Sequence, residues 1–217
     1  MTDSIDPIDF KPIEVTRPPY LHRYELFSPK LERRLTLFSW NAVLQWIMLE
    51  SDAAIERFCE RPCLVPVQAD WQLADFWVLR KGQSEFLLLQ DAPRLNPVGI
   101  ALRIGSDLGK KTRTVLLEAL QGNDLWISNW RQILPYLASN RQFIETRQFD
   151  RILKLCEAPR MLVDIERAEL PGDPTITRTA VFELVRRGQL IAEDLHSHPL
   201  RPSSRFFKAT THGAVGN

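Results

Sequence analysis

Between Leu73 and Pro93 the sequence LADFWVLRKGQSEFLLLQDAP sets one acid, Asp75, at the head of an apolar run and one amide, Gln90, at the tail of the next. Lys81-Gly82-Gln83 marks the turn that would fold the two runs together as strands. An acid on one strand facing an acid and a lysine on its neighbour is the outline of a metal site for cutting phosphodiesters. Such a site holds Mg²⁺ through hard oxygen ligands, and the metal activates water and offsets charge on the scissile phosphate. Asp75 can supply one such oxygen. Gln90 can hydrogen-bond a water but carries no charge and moves no proton near pH 7. Glu50, Asp70, Glu85 and Asp91 are further acids that a shifted register would recruit, although strand alternation turns Asp91 to the face opposite Gln90. Taken without its surroundings, Asp75 reads more readily as a solvated acid at a strand start.

The remaining reactive residues form weaker patterns. Cys59 and Cys63 lie four apart with no Cys or His spaced to complete a zinc set, and His196 and His198 lack a third ligand and read as loop residues. Three cysteines in no disulfide framework point to a reducing cytoplasm. The opening residues carry Asp3, Asp6 and Asp9 rather than an apolar leader, and no apolar run approaches the roughly 18 residues that span a bilayer. With 217 residues, 44% hydrophobic and 25% charged, the chain has the balance of a globular protein with one large core or two modest ones. Its net charge of +1 hides a gradient. From Thr175 to Lys208 the cations Arg178, Arg186, Arg187, Arg201, Arg205 and Lys208 outnumber Glu183, Glu193 and Asp194, which suits phosphate contact. Arg186 and Arg187 also fit an ordinary solvated helix end.

These groups need elements to position them. Four prolines within the first 22 residues give an extended arm. WNAVLQWIMLE has helical spacing, with Val43, Trp46, Ile47 and Leu49 on the apolar side, and AIERFCERPCLVPV reads as its continuation to Pro62 and a short strand from Cys63 to Val67. Trp46 and Trp71 read as core. Beyond the hairpin, VGIALRIGSD reads as a strand and KTRTVLLEALQG as a helix closed by Gly122. DLWISNWRQILPYLAS starts another helix, with Asp124 or Ser128 as caps. RQFDRILKLCEAP and TITRTAVFELVRRGQLIAEDL are helical, and Gly188 is placed to end the second. Leu190, Ile191 and Leu195 on one strand and Phe206 and Phe207 on another would make a small wing, giving a winged helix.

In this order the stretches SPKLERRLTLFSWNAVLQWIMLESDAAIERFCERP, LADFWVLRKGQSEFLLLQ, DLWISNWRQILPYL and RTAVFELVRRGQLIAEDL with PLRPSSRF resemble TnsA-type transposon proteins. These are endonuclease subunits of heteromeric transposases that join a restriction-enzyme-like PD-(D/E)xK domain to a C-terminal winged helix. The resemblance touches most of residues 28 to 207. It implies a catalytic glutamate three residues after a helix-leading serine, where this chain has Ser39 and then Ala42. It implies an aspartate opening the hairpin, kept as Asp75, and a lysine where Gln90 stands. The polar group two residues before that lysine is Leu88 here. One catalytic position of four survives.

The expected architecture is an α/β restriction-endonuclease-like core followed by a mostly α winged-helix domain. The expected parts are an arm over 1–27, a nuclease-like domain over 28–125, a helical winged domain over 126–208 and a disordered tail over 209–217. The expected role is architectural and non-catalytic, with Asp75 and Gln90 as remnants and no resident metal. The six C-terminal cations would bind transposon-end DNA, and the partners would be a DDE-type transposase and an AAA+ regulator, away from membranes. An Mg²⁺-dependent nuclease making the 5′ strand cuts and a winged-helix transcription regulator are the alternatives.

Overall fold

The computed structural model describes residues 10–105 and 111–210. They divide into two compact units, one built from residues up to 46 with 55–121, the other from 47–54 with residues from 122 onward.

In the first unit, β1 (Val15–Thr16) leads to a hairpin of β2 (Tyr24–Ser28) and β3 (Arg33–Leu37). Ser39 then starts α1 (Trp40–Ser51) by accepting a bond from the Ala42 N–H at 3.1 Å, the usual reach of an N-cap oxygen to the third helical residue. Val43, Trp46, Ile47 and Leu49 are buried, as the spacing required. The helix does not continue to Pro62. Asp52 Oδ1 accepts from the Ala54 N–H at 2.8 Å in a tight turn, and Ile55–Glu60 forms strand β4. The hairpin of β5 (Leu64–Val67) and β6 (Asp70–Leu73) follows, then β7 (Phe76–Arg80) and β8 (Gln83–Leu89). Lys81 and Gly82 join the last two with φ of 46° and 74°, the paired positive φ of a two-residue hairpin turn whose twist suits the strands.

A further short strand, β9 (Asn96–Pro97), pairs with β1. Residues 98–105 hold a lone bridge from Arg103 to Leu64 in place of the expected strand, and 106–110 lie outside the described residues. The stretch read as one helix from Lys111 is a strand, β10 (Lys111–Val115), followed by a short α2 (Leu117–Gln121). Its β-branched Thr112, Thr114 and Val115 favour the extended form once β8 offers a parallel partner. The four-stranded sheet runs β10-β8-β7-β4, antiparallel except for the parallel β8–β10 pair. One apolar cluster gathers Trp77, Leu79, Phe86 and Leu88 with Phe10, whose ring lies 5.1 Å from that of Trp77 and 5.7 Å from that of Phe86. The segment expected as an arm is therefore, from Phe10 onward, built into the unit. Residues before it lie outside the described set.

The second unit contains α3 (Asp124–Asn140), α4 (Thr146–Leu155), β11 (Arg160–Met161), α5 (Leu162–Ala168), α6 (Pro174–Arg186), β12 (Leu190–Ile191) and β13 (Arg205–Lys208). Asn123, rather than Asp124 or Ser128, holds the cap position of α3, and α5 carried no sequence signal of its own. Asp173 caps α6 by accepting from the Thr175 N–H at 2.7 Å. Gly188, at φ 70°, follows its end, and a Cβ there would stand 2.8 Å from that of Ala53. β13 is the middle strand, pairing antiparallel with β11 through Arg160–Phe206 and with β12 through Leu190–Lys208 and Ile191–Phe207. Leu195 lies in a 3₁₀ turn, Glu193–His196, and not in the strand. Of the expected tail, 211–217 lie outside the described residues. The chain is a mixed α/β protein, and among the described residues no helix is long and apolar enough to cross a membrane.

Candidate functional site

Asp75 sits in the residue before β7, where the sheet fixes it from several sides. Its N–H donates to Leu87 O at 2.9 Å, its carbonyl accepts from the Arg61 N–H at 2.9 Å, and its Oδ2 accepts from the Leu89 N–H at 2.7 Å. It therefore lies across from Leu88, two residues before Gln90. Burial raises its carboxyl to about 7, with the Leu89 bond and the Arg61 charge pulling the other way. Ala42 and Ser39 line a narrow cleft of about 20 Å³ together with Asp75, Phe76 and Arg61. The structure thus brings Ala42 and Asp75 to one place.

The donor set there does not fit Mg²⁺. Ala42 has no side-chain oxygen, and Leu88 is 6% exposed and packed in the apolar cluster with Phe10 and Trp77. Gln90 turns away, its N–H bonded to Val115 O at 2.9 Å and its Oε1 accepting from the Leu117 N–H at 3.4 Å at the start of α2. Asp75 is one carboxylate where the ion needs several oxygens. The acids considered as replacements are engaged or elsewhere. Glu85 is paired twice with Arg113, at 2.9 and 3.0 Å, and Glu50 is fully buried in the second unit. Asp91 is exposed at φ 56°. Asp70 shares a larger cleft with Asp75 but is mostly exposed and loosely paired to Arg94 at 3.8 Å. Among the described residues no three His, Cys, Asp or Glu side chains gather as a metal site.

Arg61 is the site residue that sequence reading missed. It follows β4 directly, donates from Nε to Ile13 O at 3.1 Å and from a terminal nitrogen to Thr36 O at 2.5 Å, and stands 5.4 Å over the Phe38 ring. Burial depresses its pKa below the usual value, an effect that the charges of Glu60 and Asp75 oppose. Its one signal in the sequence was a charge pair, Glu60-Arg61, stranded in the otherwise apolar FCERPCLV.

The C-terminal cations separate into two groups. Six consecutive residues of α6, Ala180 to Val185, are buried, so the helix has no exposed stripe along that length. It is packed against α3, α4 and α5. Arg178 donates to Glu166 at 2.7 Å and to the Tyr136 hydroxyl at 3.0 Å. Arg186 and Arg187 both bond Glu183, at 2.7 and 2.8 Å, and Arg187 also covers the Phe149 ring at 4.6 Å. Burial pushes the Glu183 carboxyl up, but the bonds and charges of Arg186 and Arg187 outweigh it and hold it below the usual range. Arg201, Arg205 and Lys208 are instead exposed on and beside β13.

The other candidates resolve plainly. Cys59, Cys63 and Cys156 are buried free thiols, and burial pushes Cys156 up to about 11. His196 stacks on Trp126 at 4.0 Å, and His198 Nδ1 lies 2.9 Å from Ser197 Oγ. Trp46 is core, but Trp71 is not: it is 37% exposed with Arg103 over its ring. No family model matches the chain, and no curated protein matches it either.

Proposed function

We propose that this chain is a TnsA-like subunit of a heteromeric transposition complex, with a nuclease core that no longer cuts. Its role is architectural: it holds transposon-end DNA and docks a DDE-type transposase, with an AAA+ regulator as a further partner. The observation that carries this reading is the convergence of Ala42 and Asp75 on one cleft while Leu88 lies opposite Asp75 on the next strand. Four positions that the resemblance assigns to catalysis lie on α1, on β8 and in the residues just before β7 and just after β8, and three of them lack catalytic groups. The strand order supports a restriction-endonuclease-like core, with three antiparallel strands after α1 and then a parallel β10. The run α4, β11, α5, α6, β12, β13, with β13 central, supports a winged helix. The exposed Arg201, Arg205 and Lys208 are its DNA contacts.

The test is to rebuild the site. Wild-type protein should leave supercoiled DNA intact in Mg²⁺ or Mn²⁺. Ala42→Glu/Leu88→Gln/Gln90→Lys should bind Mg²⁺ in calorimetry and nick DNA, and adding Asp75→Ala should abolish both. A folded rebuilt variant that takes up no Mg²⁺ removes the assignment of these positions. Metal-dependent cutting by the wild type, lost in Asp75→Ala, makes the chain a working nuclease.

A further inference from the structure

Arg61 has φ 47°, in the left-handed region that residues other than glycine seldom occupy. Backbone held there against its preference is a reason to ask what the side chain is placed to do. Two of its donors are committed to the Ile13 and Thr36 carbonyls. Among the described residues nothing accepts a hydrogen bond from its other terminal nitrogen. Arg61 lines an open cleft of about 190 Å³ with Asp75, Trp71, Gln72, Arg94 and Asn96. Asp75 Oδ2 accepts from the Leu89 N–H, so the two charged groups line the cleft from separate anchors.

We propose that this cleft is a metal-free seat for a nucleic-acid phosphate, with Arg61 supplying the positive charge that a metal ion supplies in a working nuclease. The proposal rests on the reading of the core as a silent nuclease and names what that core still binds. A guanidinium stays charged and offers parallel N–H donors that match phosphate oxygens. An incoming anion offsets the desolvation that disfavours the buried cation. The side-chain amides of Gln72 and Asn96 can donate to the same oxygens. The cleft is smaller than the roughly 300 Å³ at which pockets for drug-sized ligands begin, which suits a phosphate and part of its sugar better than a whole nucleotide. Asp75 is the opposing charge. Arg61 and Asp75 must therefore act with opposite sign on one ligand.

The experiment measures duplex DNA binding by anisotropy with the full chain in EDTA, at a pH well above 7 where the Asp75 carboxyl is ionised, alongside competition by inorganic phosphate. Arg61→Gln should weaken binding about tenfold, the scale of one lost hydrogen bond to a charged group. Asp75→Asn should tighten it several-fold, and because it leaves every Arg61 bond in place it stays informative if Arg61→Gln unfolds. Inorganic phosphate should compete with DNA in the wild type and lose that effect in Arg61→Gln. Asp75→Asn binding no tighter than the wild type, or binding that appears only with Mg²⁺, overturns the proposal. Phosphate uptake that depends on Arg61 while DNA affinity ignores both substitutions overturns the nucleic-acid assignment. These outcomes are independent of the rebuilt-site assay: Mg²⁺ uptake there, with no effect of Arg61 here, removes the phosphate seat and leaves the silent-nuclease reading standing.

Discussion

Asp75 is held in position by the sheet itself. Its backbone bonds to Leu87 and Arg61, and its carboxylate accepts from the Leu89 N–H, which together hold it as a structural corner of the sheet. Its carboxyl is raised from 3.8 to about 7 by burial. Between those values the folded protein binds a proton that the unfolded chain has released, so stability contributed by this residue falls as pH rises through that window and is level above it. Asp75→Asn keeps an oxygen for the Leu89 N–H and cannot ionise. It should stabilise the protein near pH 8 by on the order of 4 kcal/mol, about 1.4 kcal/mol for each pH unit of that window, and leave stability near pH 4 almost unchanged. Urea melts at the two pH values check this, and an equal change at both removes the ionisation argument. The hairpin that sets Asp75 before one strand and Gln90 after the next was legible from its apolar runs and turn, whereas Ala42 and Leu88 entered only through the resemblance. Arg61 was not legible, since its importance comes from carbonyls at Ile13 and Thr36, which are remote from it in sequence.

At the scale of elements, local chemistry wrote the β7–β8 hairpin and long-range pairing wrote its neighbours. Two unbroken apolar runs and a Lys-Gly turn between them specify the hairpin without help. β4 and β10 read as helix because nothing inside Ile55–Glu60 or Lys111–Val115 announces the β7 and β8 edges that they join. The turn makes a clean test, because no heavy atom lies within 4 Å of a Cβ built at Gly82. Gly82→Ala should therefore cost about 1 kcal/mol from its positive φ alone. Lys81→Asn should gain several tenths, as asparagine accepts the left-handed conformation more readily than lysine. Chemical denaturation of both variants reads the difference, and a neutral Gly82→Ala contradicts the turn geometry. In α6 the decisive residue is Glu183, fully buried and shared by two arginines. Glu183→Ala removes the ion pair with both arginines, Arg186 being itself only 12% exposed, and should cost about 3 kcal/mol.

For the whole molecule, a net charge of +1 concealed a local excess, and that excess in turn concealed ion pairs. Counting cations along the last part of the chain cannot see that Arg178 is matched by Glu166 of α5, which only the fold brings beside it, whereas Arg186 and Arg187 meet Glu183 three and four residues away at the end of α6, a pairing that helical spacing already offers. Phosphate contact displaces counterions from DNA, so each contact contributes roughly 0.9 to the slope of log affinity against log salt. Exposed, unmatched cations carry that slope, and matched ones carry stability. The Arg201→Ala/Arg205→Ala/Lys208→Ala variant should therefore melt like the wild type while its salt slope for end-DNA binding falls by roughly 0.9 for each contact removed. Arg186→Ala/Arg187→Ala should do the reverse, keeping the slope at temperatures where it is folded and losing a few kcal/mol of stability through the unpaired Glu183. A double variant that flattens the salt dependence, beside an Arg201, Arg205 and Lys208 variant that does not, would place the proposed DNA contact at the end of α6 instead of on β13 and the turn before it.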